Sequence, residues 1–284
     1  MFPQLFDPAK LRKGIDKFVD GIVTDYGDSL GALSDHFERW LSWFEKLLRT
    51  SPWWAVVLVV VLIAWGLTRR LGFSILMGAM LCIIGLLGLW DAGMQTLALM
   101  LMATFLSVVI GIPVGILMGR LDWVRAVLHP VLDIMQTMPS FVYLIPVVML
   151  FGLGKTPALI ATIIYAVAPL IRLTDLGIRL VDKEVLEASR AYGANAWQQL
   201  FGVQIPLALP NIMAGINQTT MMALAMVVIA SMIGATGLGQ EVLLGINRLE
   251  VGRGLMAGVS IVVLAILFDR ITQAYGRRQR RGAH

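Results

Sequence analysis

The chain has 284 residues, of which 58% are hydrophobic and only 14% charged, with a formal net charge of +5. Soluble domains carry roughly 25% charged residues, so the balance excludes an ordinary water-soluble enzyme or binding module. The basic residues flank apolar runs, which points to orientation in a bilayer and away from nucleic acid as a partner.

The first fifty residues mix Lys10, Arg12, Lys13 and Lys17 with Asp7, Asp16, Asp20 and Asp25 and contain no continuous apolar stretch. This is not the pattern of a cleaved signal peptide. Leu11, Ile15, Phe18, Ile22, Tyr26, Leu33, Phe37, Trp40, Leu41, Phe44 and Leu48 recur at three- and four-residue steps. That spacing predicts one or two amphipathic helices with a break near Gly27, lying on the membrane surface or against the core. Segment 1–52 therefore reads as a helical tail that ends at Ser51-Pro52.

About seven apolar spans follow, over 53–68, 73–90, 95–119, 135–152, 157–174, 208–233 and 254–272, each near the length that crosses ~30 Å of hydrocarbon. The fold class is an all-α polytopic membrane protein. Spans 53–68 and 73–90 read as two accessory helices (53–90), and 91–272 reads as the core. Residues 273–284 form a basic tail. Arg69, Arg70, Arg120, Arg125, Arg172, Arg179, Lys183, Arg190 and the tail arginines fall on one side, against Lys155, Arg248 and Arg253 on the other. The positive-inside rule puts the first set in the cytoplasm, with the N-terminus outside and the C-terminus inside.

Several residues invite sharper readings. Gly111, Gly115 and Gly119 repeat every four positions in the third span, which lets two helices approach closely. Pro139 and Pro146 break the fourth span and free backbone groups that need a partner or a wet cavity. With Gln136, Ser140 and Tyr143 they are candidates for a translocation path, joined by Asn217, Gln218, Thr219 and Ser231 in the sixth. Interhelical hydrogen bonding is the equal alternative for each. Gly152-Leu153-Gly154-Lys155-Thr156 resembles the end of a phosphate-binding loop. Met149 stands where its first glycine belongs, however, so ATP is expected to bind elsewhere. Arg172, Asp175, Asp269 and Arg270 are expected at helix ends, which leaves the spans without mid-membrane carboxylates and argues against an ion-driven carrier. The lone Cys82 and three histidines indicate no metal cluster.

The longest connection, 175–207, is the most specific. It reads Glu187-Ala188-Ser189, then Gly193 six residues after the glutamate, then Val203-Gln204-Ile205-Pro206. Good helix formers precede a glycine able to end a helix at positive φ, and an apolar face and a proline precede the next span. This resembles the EAA loop of ABC importer permeases. Ser189 and Ile205 are mild departures from that pattern.

From Gln136 to Asp269 the chain resembles the permeases for glycine betaine, proline betaine and choline. The likeness is carried by Gln136–Pro146, Pro169–Thr174, Ala214–Thr219, Val227–Gly234 and Gly237–Gln240. It implies a homodimeric permease of the bacterial inner membrane, two cytoplasmic ATPase subunits that bind the ATP, and an extracytoplasmic solute-binding protein. It implies no cofactor and no covalent chemistry in this chain, with Glu187, Ala188, Ser189, Gly193, Val203, Ile205 and Pro206 transmitting force. The alternatives are a permease for another small amino-acid-like solute, or a secondary carrier.

Overall fold

The computed structural model describes residues 8–282. The side chains of Pro8, Ala9, Leu11, Ile15, Phe18 and residues 275–282 lie outside that description, and the tail arginines Arg277, Arg278, Arg280 and Arg281 fall among them. The described residues are helical, with no strand.

Helix α1 spans Pro8–Thr50 without a break, so the expected interruption at Gly27 does not occur. A single glycine costs a helix only about 1 kcal/mol, and the apolar stripe continues on both sides of it. Ser51-Pro52 ends α1, and α2, Trp53–Thr68, leaves at an angle of 103°. Arg69 closes α2 in the left-handed conformation at φ 56° before α3, Leu71–Leu86.

The central helices are α4, Trp90–Arg120, and α7, Lys155–Arg179. Between them α5, Asp122–Thr137, and α6, Ser140–Phe151, meet at 104°. The span expected over 135–152 is thereby corrected. Pro139 disfavours a helical conformation at Met138, so Gln136 and Thr137 close α5 while Ser140 opens α6. Beyond α7 come α8, Lys183–Ala191, and α9, Ala196–Gln199, then a π turn over Leu200–Gln204 and α10, Ile205–Ala230. A 3-10 turn, Ser231–Ile233, leads to α11, Leu238–Asn247, and α12, Val251–Gly282.

Six of the seven expected spans fall mainly on one helix each and the fourth is divided between α5 and α6, whereas α5 and α11 arise largely where connections were expected. Among the described residues, four helical stretches are long and apolar enough to cross a membrane alone, and up to six spans result if each bent pair counts as one. Residues 273–282 of the tail prolong α12, because Gln and Arg tolerate helix well.

Three helices hold the centre together through close backbone approach. A Cβ added at Gly115 would lie 2.5 Å from Thr174 Cβ and 2.8 Å from the Ile171 carbonyl oxygen, and one at Gly119 would meet Ile178 at 2.9 Å. Gly111 faces Leu170 and Val167, so the four-residue glycine repeat is an α4–α7 seam within one chain. Gly177 and Gly215 repeat the device between α7 and α10, against Asn211 and Leu170. Lipid supplies no hydrophobic drive for helix association, so this backbone proximity is what van der Waals packing requires.

The end at which α7 begins is closed by α1. Glu45, 6% exposed, accepts a 2.6 Å hydrogen bond from Lys155 Nζ at the start of α7. Arg49 reaches Asp91 on α4 at 3.3 Å, and Thr156 Oγ1 donates to the Ser34 carbonyl at 3.3 Å.

Candidate functional site

The opposite end of α7 carries the finger formed by α8 and α9. Asp182 caps α8 by accepting from the Glu184 N–H at 2.9 Å. The helix stops in a complete Schellman arrangement: Ala194 N–H donates to the Ser189 carbonyl at 3.0 Å and Gly193 N–H to that of Arg190 at 2.9 Å. Gly193 sits at φ 81°, where a side chain is strained, although open space surrounds it. Asn195 then caps α9, accepting from Trp197 N–H at 3.0 Å and Gln198 N–H at 2.8 Å, while its own N–H donates to Gln198 Oε1 at 2.9 Å. This reciprocal box fixes the turn.

A side-chain clasp joins the two short helices. Gln199 Nε2, on a residue 4% exposed, donates to the Leu186 carbonyl at 2.8 Å and to Ser189 Oγ at 2.9 Å. Ser189 Oγ donates in turn to Leu186 O at 3.0 Å. The serine that departs from a Glu-Ala-Ala pattern thus holds the finger's own fold. Leu200 and Gln204 anchor the finger on the core, with Val203 and Ile205 half-buried and Pro206 exposed in the first turn of α10.

What remains outward is a shaped surface. Glu187 and Ala188 are exposed, and no residue of α8 is buried. Tyr192 is 93% exposed, and Trp197 and Phe201 stack with ring centroids 5.8 Å apart while both stay open. Tyr192, Asn195, Trp197, Gln198 and Gln199 belong to the finger without being among the residues expected there from sequence. The Asn-Ala-Trp-Gln spacing of a capping box was the available signal.

The candidate path residues do not form one cluster. Gln136 accepts from Arg172 Nη1 at 2.5 Å, and Arg172 also pairs with Asp133, which lies 3.1 Å from His129 Nδ1. Pro139 and Ser140 occupy the elbow between α5 and α6. Tyr143, buried, donates to the Met135 carbonyl across that elbow and packs edge-on against Tyr165 at 5.7 Å. On α10, Thr219 is fully buried and donates to the Ala166 carbonyl at 2.8 Å, whereas Gln218 is exposed. Asn217 Nδ2 donates to Asp269 Oδ1 at 3.0 Å and its carbonyl accepts from Thr272. Ser231 Oγ donates to Val228 O at 2.6 Å.

Four ionisable groups sit differently from expectation. Arg172, Asp175, Asp269 and Arg270 lie within α7 and α12, not at their ends. Asp175, 4% exposed, pairs with Arg179 at 3.0 Å and Arg125 at 3.5 Å, and Asp269 accepts from Asn217 and from Gln273 at 2.7 Å. Because α7 and α12 run further than hydropathy alone indicates, these two carboxylates are kept by partners on neighbouring turns and helices. The stretch that resembles a phosphate loop is a glycine hinge with φ 77° at Gly152 and 140° at Gly154, and its lysine is engaged by Glu45.

Comparison with known proteins agrees with this architecture. Residues 111–281 match the family described as binding-protein-dependent transport system inner membrane component. The chain is 47% identical over 270 residues to the glycine betaine/proline betaine transport system permease protein ProW of Escherichia coli K12, covering 95% of this chain and 76% of the relative. It is 42% identical over 260 residues to the glycine betaine transport system permease protein OpuAB of Bacillus subtilis, covering 91% and 92%. An inward-facing structure of the MetNI methionine ABC transporter shares the fold at a TM-score of 0.58, with 23% identity over 69% of this chain and 96% of that one. Most of the chain is accounted for by these matches, and it belongs to the family of binding-protein-dependent transport system inner membrane components, as the multi-pass permease subunit of an ABC importer and not its ATPase.

Proposed function

We propose that the chain carries glycine betaine or a closely related quaternary amine inward, working as a pair of identical permeases driven by two cytoplasmic ATPase subunits and loaded by an extracytoplasmic binding protein. The observation that carries this reading is the α8–α9 finger. It is braced by its own caps and clasp, stands at one end of α7, and presents Glu187, Ala188, Tyr192 and Trp197 outward. A rigid amphipathic projection of this kind fits a groove in a partner. Closure of the nucleotide-loaded partners pushes the finger, and α7 and α10, locked to each other by Gly177 and Gly215, convey the push to the core.

The cargo assignment rests on relatives named for glycine betaine. Gln136, Pro139, Ser140 and Tyr143 at the α5–α6 elbow, with Asn217, Gln218 and Thr219 on α10 and Ser231 in the turn that follows it, are the proposed path. An elbow of 104° that leaves Gln136 and Pro139 exposed supports this, since broken helices are tolerated where they line a cavity. The positive-inside bias supports a cytoplasmic finger and C-terminus, with α1 and Lys155 outside. ATP is bound by the partner, and this chain contributes no cofactor.

Reconstitution with the copurifying ATPase and binding protein tests the proposal. ATP-dependent accumulation of labelled glycine betaine, abolished by Gly193→Asp, is expected. Uptake by the purified chain alone under an ion gradient would overturn it.

A further inference from the structure

An apolar groove of about 610 Å³ runs between α1 and α4, lined chiefly by Phe37, Trp40 and Trp43 on one side and Met102 and Phe105 on the other. The two tryptophans are 56% and 64% exposed and Phe105 is 62% exposed. Three large aromatic rings thus stand open in a cleft that nothing described in this chain fills. His36 is the groove's one polar lining residue.

The depth of the groove follows from helix register. Gly115 faces Thr174 and Gly119 faces Ile178, so α4 and α7 run side by side in constant step. That step sets Thr96 level with Lys155, where α7 begins. Leu101 to Leu106 then lie about 8–15 Å further in at 1.5 Å per residue, within the ~15 Å hydrocarbon half-thickness of one leaflet. Between Asp91 and Arg120, α4 carries no charged residue, and its exposed row continues from Phe105 through Val109, Ile110 and Leu117. The groove is therefore continuous with a surface that has the composition of a bilayer-facing wall. On its other rim, Glu38 and Arg39 are exposed beside Trp40, the mixture of charge and indole found at headgroup level.

We propose that this groove holds an acyl chain of an outer-leaflet phospholipid, with α1 acting as the strap that retains it. This rests on the placement of α1 at the outer face and is independent of which solute is carried. The Glu45–Lys155 and Arg49–Asp91 pairs fix the strap beside the groove without entering it.

The test uses the assembled transporter in vesicles of phosphatidylethanolamine and phosphatidylglycerol, doped with a phospholipid bearing a photoactivatable diazirine midway along one chain. Mass spectrometry of irradiated protein is expected to place label preferentially on residues 36–44 and 101–106. Met102→Trp, which fills the cleft, should lower that labelling about tenfold while leaving the labelling of α2 and α12 unchanged. Uniform labelling of every outward apolar residue would overturn the proposal. So would a symmetric disulfide between two copies of Phe105→Cys in a Cys82→Ser background, because a second copy would then cover the groove. If transport fails in vesicles where the groove is still labelled, only the cargo reading falls.

Discussion

Glycine does opposite work in the seam between α4 and α7 and in the finger of α8 and α9. Gly115 is needed because nothing larger fits, since the nearest atoms to an added Cβ include the backbone oxygen of Ile171 at 2.8 Å. Gly193 has open space around it and is needed for its φ of 81°. The seam is specified by volume and cannot relax, because backbone faces backbone. The finger is specified by local hydrogen bonds and could be rebuilt on another protein. Damage to the seam should therefore appear as lost fold, and damage to the finger as lost coupling in a folded protein.

The largest effect is expected from Gly115→Val. The seam must open by more than an ångström, and overpacking of this kind costs about 1–3 kcal/mol or more. The yield of monodisperse protein in mild detergent should collapse; a normal yield and melting temperature would show that the seam is softer than its distances imply.

Glu45→Ala comes next. It leaves Lys155 without its partner at a site where the lysine side chain is 27% exposed. Partial exposure reduces the penalty of a broken buried pair to about 1–2 kcal/mol. Limited proteolysis should then cut α1 between residues 20 and 40 faster than in the unaltered protein.

Gly193→Ala should cost only about 1–2 kcal/mol locally, the price of the left-handed conformation, and leave the melting temperature of the permease nearly unchanged. Solute-stimulated ATP hydrolysis by the assembled complex should nevertheless fall well below its original rate. An equal loss of stability and of coupling would erase the contrast between the two regions. Ser189→Ala is the mildest, removing one hydrogen bond from Gln199, which keeps its bond to Leu186, for a loss of about 0.5–1 kcal/mol. Near-normal uptake with faster amide exchange in α8 is the expected outcome.

The contrast also explains what could be read from the sequence. Gly111, Gly115 and Gly119 were legible as a close-packing stripe because period four is a property of one helix, yet their partners on α7 required the fold. The finger was legible at Glu187, Gly193 and Pro206, where end signals are local. Its clasp was not, because Gln199 is a polar residue buried by tertiary position alone. Gly27 misled because one glycine is a weak breaker in a strong amphipathic stripe. Helices α5 and α11 were missed because hydropathy reports membrane-length apolar runs and is silent on short helices between them. Asp269 was misplaced for a related reason: the apolar run ends near it, while the helix runs on to Gly282.

The bond from Lys155 to Glu45 joins residues 110 positions apart. At roughly 5–20 residues per second of synthesis, the N-terminal helix waits on the order of 5–20 seconds after emerging before its anchoring lysine has been made. During that interval its ties are those to segments made earlier, such as Arg49 to Asp91 on α4, so the last fastening of α1 waits for the start of α7.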